Sequence, residues 1–282
     1  MTSVKENRQN PAESSPTYCN CQDAANSHVY QQQRSYVRFN FSQLCRFTVS
    51  LPLIGLVICF VSANIFQQND IHETHCRVYN VIPSISAITG ISPQRYIWRI
   101  VIALHVGPRF LTSLVYHRFY LNQLSRVSQL KKKSYLCHVW LALSLNLIEQ
   151  AALIGVTYVS NRENYPIHEK IFIVFMVSSQ VHMLIVLRLL KMADFGRELS
   201  EQRSYFFKRS LFYLSLLCTC GLLVFFVKHR VYCHDMAFSW FSFFEYWIAA
   251  TNMGFHATII LDFPDEDIIV GSNWNSSKTK IK

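Results

Sequence analysis

Phe47–Phe66 runs for about 20 positions without a charged side chain, the length an α-helix needs to cross a hydrocarbon core of about 30 Å. Five more apolar runs follow: Trp98–Phe119, Leu136–Ser160, Ile171–Leu190, Leu211–Val227 and Ala237–Leu261. In a bilayer every backbone N–H and C=O must be satisfied within the segment, so runs of this length are expected as helices. The composition agrees: 51% hydrophobic and 16% charged, against about 25% charged in soluble domains. The chain therefore reads as an all-α polytopic membrane protein with six transmembrane helices.

Basic residues set its orientation. Arg34, Arg38, Arg46, Arg118, Arg126, Lys131, Lys132, Lys133, Arg188, Lys191, Arg197, Arg203, Lys208, Arg209, Lys278, Lys280 and Lys282 flank one side. The other side has only Arg77, Arg95, Arg99, Arg162, Lys170, Lys228 and Arg230. The positive-inside rule puts both termini in the cytosol. The net charge of +10 follows from topology and attraction to anionic lipid, so no nucleic-acid partner is implied. Residues 1–46, rich in Asn, Gln and Ser, read as a disordered cytosolic tail. Residues 47–262 form the six-helix membrane domain, and 263–282 a cytosolic C-terminal tail ending Lys278-Thr279-Lys280-Ile281-Lys282. On this topology only Cys76 and Cys233 lie in lumenal loops, where disulfides form. A bridge between them is expected, with two free thiols as the alternative.

Six ionisable residues interrupt the apolar runs: His105, Arg109, Glu149, His182, Glu245 and His256. Each costs on the order of 2.5–3.5 kcal/mol or more at a bilayer centre, so they should face a protein interior or a wet cavity. At about 1.5 Å per residue, Arg109, Glu149, His182 and Glu245 fall roughly 12–18 Å below the lumenal boundaries. His105 lies a turn above Arg109, and His256 approaches the cytosolic side. Arg109 requires a counter-ion, and Glu149 or Glu245 is available. Two readings stay open: a buried ion pair with histidines that fixes helix register, or a polar pocket for catalysis or lipid binding. In the second, a neutral His105 or His182 is the base for a lipid hydroxyl, oriented by Glu149 or Glu245.

No metal site is expected, because no two histidines lie three or four apart on one helix. Near the lumenal interface, Arg95, Trp98 and Arg99 combine guanidinium forks with an amphipathic ring, which suits a phosphorylated headgroup or a plain interfacial anchor. The segment around Ser84-Ile85-Ser86 in the long lumenal loop is mildly apolar and suits the membrane surface or re-entry.

An ordered set of short motifs carries a resemblance. It includes His75-Cys76, Pro83-Ser84 with Ser86, Pro93-Gln94-Arg95-Tyr96 with Trp98-Arg99, and Leu104-His105. Next come Pro108-Arg109-Phe110-Leu111, Glu149, Ile167-His168-Glu169, His182-Met183, Tyr232-Cys233, Glu245-Tyr246, Phe255-His256 and Asp262-Phe263. With these the chain resembles the post-GPI-attachment-to-proteins factor two family, within the broader Frag/DRAM/Sfk membrane group. The resemblance implies a multi-pass protein of the Golgi or endoplasmic reticulum membrane that acts in fatty-acid remodelling of GPI anchors. There, lyso-GPI-anchored proteins regain a saturated chain, which their stable surface expression needs. Whether the chain is the acyltransferase or assists a partner acyltransferase stays open. The partners implied are GPI-anchored proteins and GPI lipid. No cofactor is implied beyond an acyl donor such as acyl-CoA or a phospholipid. Arg95, Trp98, Arg99 and Arg109 would meet the headgroup. The alternatives are a non-enzymatic DRAM-like regulator of trafficking or autophagy, and a small-solute transporter.

Overall fold

The first apolar run becomes a helix earlier than its charge pattern suggests. Asn40 Oδ1 accepts a hydrogen bond from Gln43 N at 2.9 Å, an N-cap that starts helix α1 at Phe41 (Phe41–Phe66) rather than at Phe47. Arg46 does not stop it, because its side chain is exposed and a helix can extend past the apolar zone. The computed structural model describes residues 36–74 and 76–271. Most of the expected N-terminal tail, with Cys19 and Cys21, lies outside the described residues, as do His75 and the lysine-rich ending. Of the two expected tails, Tyr36–Asn40 forms strand β1 and Asp267–Gly271 forms strand β2. The two pair in a two-stranded sheet.

After α1 come α2 (Gln68–Ile71), α3 (Ile85–Thr89) and α4 (Gln94–Asn122). Then follow α5 (Lys132–Tyr158), α6 (Tyr165–Met192), α7 (Leu199–Tyr232), α8 (Ala237–Ala257) and α9 (Ile259–Asp262). Among the described residues five helices, α1 and α4 to α7, are long and apolar enough to cross a membrane. α8, the sixth expected span, has 21 residues but falls outside that set. Its apolar character comes from Phe and Trp, interspersed with Ser, Glu245, Asn252 and His256.

All the described helices belong to one unit, Phe39–Ile268. The closest pairings within the helical unit are α5 with α6 and α7 with α8, then α1 with α4 and α4 with α5. Short connections make the first two pairs antiparallel hairpins. A Cβ at Gly221 would lie 2.7 Å from the Phe244 ring, so glycine is what lets α7 and α8 approach this closely. One apolar core joins α4, α5 and α6 through Tyr120, Tyr135, Val139, Met183, Val186 and Leu190.

The long loop between α1 and α4 is tied down rather than free. Cys76 and Cys233 are joined by a disulfide. Val81 N donates to Ser239 Oγ at 2.8 Å, and Ile85 N to Glu245 Oε2 at 2.8 Å. Ile71 and Ile88 are buried against Leu56, Cys59 and Ala63 of α1. The mildly apolar Ser84-Ile85-Ser86 segment thus opens a short helix packed on α1, α4 and α8.

One basic residue departs from its expected place on the cytosolic surface. Lys208 is 1% exposed and forms a 2.6 Å ion pair with Asp262. Ser204 and Tyr116 also donate to Asp262, at 2.5 and 2.6 Å. With its charge matched and a second bond to Ser204 Oγ at 2.6 Å, an ammonium group can stay in the interior.

Candidate functional site

Glu149 of α5 is fully buried, and four other side chains converge on it. Arg109 Nη2 from α4 lies 2.5 Å from its Oε1. Asn252 Nδ2 from α8 donates to the same oxygen at 2.9 Å and to Ser179 Oγ of α6 at 2.7 Å. His256 Nε2 lies 3.1 Å from Oε1 and 2.6 Å from Arg109 Nη2. A guanidinium can only donate, so His256 Nε2 accepts from Arg109. His182 Nδ1 of α6 stands 3.5 Å from Glu149 Oε2, and its ring stacks on that of His256 at 5.6 Å. One carboxylate and one guanidinium cancel as charges, while the amide and the imidazoles surround them. A buried charge pair persists only with such support.

The expected cluster of Arg109, Glu149 and His182 is therefore present, with two corrections. His256, set apart by depth counting, is at its centre. Counting assumes that all spans start in one plane, whereas the fold brings His256 into contact with both Glu149 and Arg109. Glu245 is not the counter-ion of Arg109: it is buried and accepts from the Ile85 amide instead. Glu149, His182 and His256 carry potential metal-ligand atoms that all lie within 4.8 Å of one another, a grouping that residue spacing on single helices cannot reveal. Arg109 Nη2 contacts two of these three residues, Glu149 and His256.

A partly open, mostly apolar cavity of about 110 Å³ adjoins the cluster. Arg109 and Asn252 reach its wall, as do His105, Glu245 and Trp98. His182 does not line it, so of the two expected bases only His105 faces this space. His105 Nδ1 donates to the Thr48 carbonyl at 2.7 Å, which leaves Nε2 as an acceptor in the neutral ring. Among the described residues Arg109 Nε has no hydrogen-bond partner. Ser86 and His168 line the same cavity. Sequence reading gave neither a site role; the signals were the mildly apolar loop segment and a histidine near the start of α6.

Arg95 and Arg99 are not free headgroup ligands. Both pair with Glu163, at 3.5 and 2.6 Å, and Arg99 also donates to the Thr157 and Tyr158 carbonyls at the end of α5. Glu163 lies in the turn between α5 and α6. The Ser160 amide and Arg99 hold its carboxyl down to about 2. A depressed carboxyl contributes stability that is complete above its unfolded value of about 4.3 and fades as pH falls through about 2. Lowering the pH from 7 to 5 is therefore expected to leave this clamp closed. The check is the accessibility of Arg95 and Arg99 to a guanidine-modifying reagent. It should stay flat across that range in the wild type and rise at both pH values in Glu163→Gln.

Residues 40–266 match the sequence model of the Frag1/DRAM/Sfk1/Cwh43P N-terminal domain. A Drosophila melanogaster protein named "Post-GPI attachment to proteins factor 2-like" is 52% identical over 262 residues, covering 92% of this chain and 81% of that protein. A Xenopus tropicalis protein named "Acyltransferase PGAP2" is 38% identical over 229 residues, 80% of this chain and 88% of its own length. A Caenorhabditis briggsae protein named "Post-GPI attachment to proteins factor 2" is 32% identical over 234 residues, 80% and 87% of the two chains. No solved structure matches.

Proposed function

Because this chain belongs to the Frag1/DRAM/Sfk1/Cwh43P family, we propose that it acts in the lipid remodelling of GPI anchors and itself returns a saturated acyl chain to lyso-GPI-anchored proteins. Relatives named for post-GPI attachment and for acyl transfer favour this over a non-enzymatic regulatory role. The observation that carries it is the cavity: apolar walls suited to an acyl chain, meeting a buried cluster of polar groups. An apolar pocket with a few placed polar groups is the usual form of a ligand site, and a lipid ester has the same two halves.

Within the cavity His105 Nε2 accepts from the lipid hydroxyl and orients it. Arg109, with an unpartnered Nε–H, donates to a phosphate or ester oxygen. The glutamate beside it offsets the guanidinium's charge, which lets the pair stay in the interior. Trp98 lines the same wall and packs on the glycolipid as it enters. Arg95 and Arg99 hold the loop over α5 through Glu163, and their role is positioning.

Six helices are read as spans with both chain ends cytosolic, on the distribution of the basic residues. At about 1.5 Å per residue, α8 is long enough to span. On that topology the loop carrying α3 is lumenal, the side on which a GPI-anchored protein resides. The Golgi or endoplasmic reticulum membrane is the expected location.

The experiment is mass spectrometry of GPI lipids from cells lacking this chain. Lyso-GPI or unremodelled anchors are expected to accumulate, and wild-type rescue should remove them. His105→Ala is expected to slow remodelling about 10²-fold, the lower end of what a positioned imidazole contributes, at unchanged protein level. Fully remodelled anchors in the knockout cells would sink the proposal.

A further inference from the structure

We propose that Ser86 carries the acyl group as a covalent ester before its transfer, with His168 as its base. This rests on the reading of the cavity as an acyl-transfer site and identifies the nucleophile within it. Ser86 Oγ lies 2.8 Å from His168 Nε2. His168 Nδ1 lies 2.7 Å from the Val159 carbonyl, which can only accept, so Nδ1 holds the ring proton and Nε2 accepts from Ser86. Nucleophile, base and a group orienting the base are thus in line, the arrangement that activates a serine hydroxyl. Here a main-chain carbonyl takes the place of a carboxylate.

Several serines and threonines among the described residues satisfy themselves on their own helix. Thr48, Thr89, Ser242 and Thr251 each donate to a carbonyl four residues back. Ser86 faces an imidazole on a different helix instead, and both side chains line the cavity. Thr157 lines it as well, and its hydroxyl is buried with no hydrogen-bond partner among the described residues. That hydroxyl is free to donate to a carbonyl oxygen as negative charge develops there. The nucleophile's segment is held closely: a Cβ at Gly90 would lie 2.7 Å from the Ser86 carbonyl and 2.3 Å from Asn161 Oδ1.

In the first half of the reaction Ser86 Oγ attacks the carbonyl carbon of an acyl ester or thioester. Its proton passes to His168 Nε2 and from there to the departing alkoxide or thiolate, leaving acyl-Ser86. In the second half the lyso-lipid hydroxyl gives its proton to His168 and attacks the Ser86 ester. The bond to Oγ breaks, and Ser86 recovers the proton. His105 Nε2 accepts from the arriving hydroxyl, which then turns its proton to His168 for the attack.

The test uses the full-length protein, purified in detergent. It is incubated with either dipalmitoyl phosphatidylcholine vesicles or palmitoyl-coenzyme A, with lyso-GPI omitted. Peptide mass spectrometry then searches for a palmitoyl ester, and a parallel reaction with lyso-GPI measures transfer. One palmitoyl group on Ser86 is expected with at least one donor, and which donor loads it identifies the source. Ser86→Ala should lose both the adduct and at least about 10²-fold of transfer. Ser86→Cys, which keeps a nucleophile, should carry a thioester that neutral hydroxylamine cleaves. Transfer by wild type with no adduct, and undiminished in Ser86→Ala, overturns this proposal and leaves the acyl-transfer reading standing. A wild-type protein that neither transfers nor carries acyl overturns both.

Discussion

Glu149→Ala is expected to destabilise the folded protein by about 3–5 kcal/mol, the cost of leaving a buried partner charge uncompensated. The site gives Arg109 no other anion: Glu149 is fully buried at 2.5 Å from it, and Glu245 is occupied with the Ile85 amide. Asn252 and His256 lose an acceptor or a neighbour in the same change. Helices α4, α5, α6 and α8 all contribute to this one cluster, so its loss should appear as a lower unfolding temperature in detergent rather than as local fraying. An unfolding temperature equal to wild type would mean that Arg109 finds another anion.

Removing both charges separates structure from function. Arg109→Met with Glu149→Leu replaces the pair by apolar groups of similar size, a change that is often neutral or stabilising in a protein interior. The double variant is expected to recover most of the stability lost in Glu149→Ala. Its transfer of acyl groups to lyso-GPI should nonetheless fall by about 10²-fold or more, the scale of losing a preorganised donor at a charged transition state. Unfolding temperature and transfer rate, measured on the same preparation, check the two halves. A stable double variant with full activity would reduce the cluster to a device for fixing helix register.

Much of this architecture was legible in the chain. Apolar runs of spanning length mark the helices because a bilayer admits little else. Arg109, Glu149 and His182 declare themselves by their cost within those runs. What sequence could not supply was which residues of separate helices meet. Counting every span from a common plane sets His256 apart, whereas the fold brings it to 3.1 Å from Glu149. Of the two candidate counter-ions Glu149 is the one used, and Glu245 meets a loop amide brought in by tertiary packing. Lys208 read as a surface charge because its partner, Asp262, is far along the chain. Ser86 and His168 went unassigned, as a hydroxyl becomes notable only when an imidazole from another helix points at it.

The most direct measurement is acyl transfer by the purified chain alone. Full-length protein in liposomes of dipalmitoyl phosphatidylcholine, with palmitoyl-coenzyme A supplied in a second arm, is given a lyso-GPI acceptor. The product is read by mass spectrometry. Acylated GPI is expected from wild type in at least one arm, with the Arg109→Met/Glu149→Leu protein reduced about 10²-fold. If the folded wild-type protein leaves lyso-GPI unchanged in both arms, the cavity is not an acyl-transfer site.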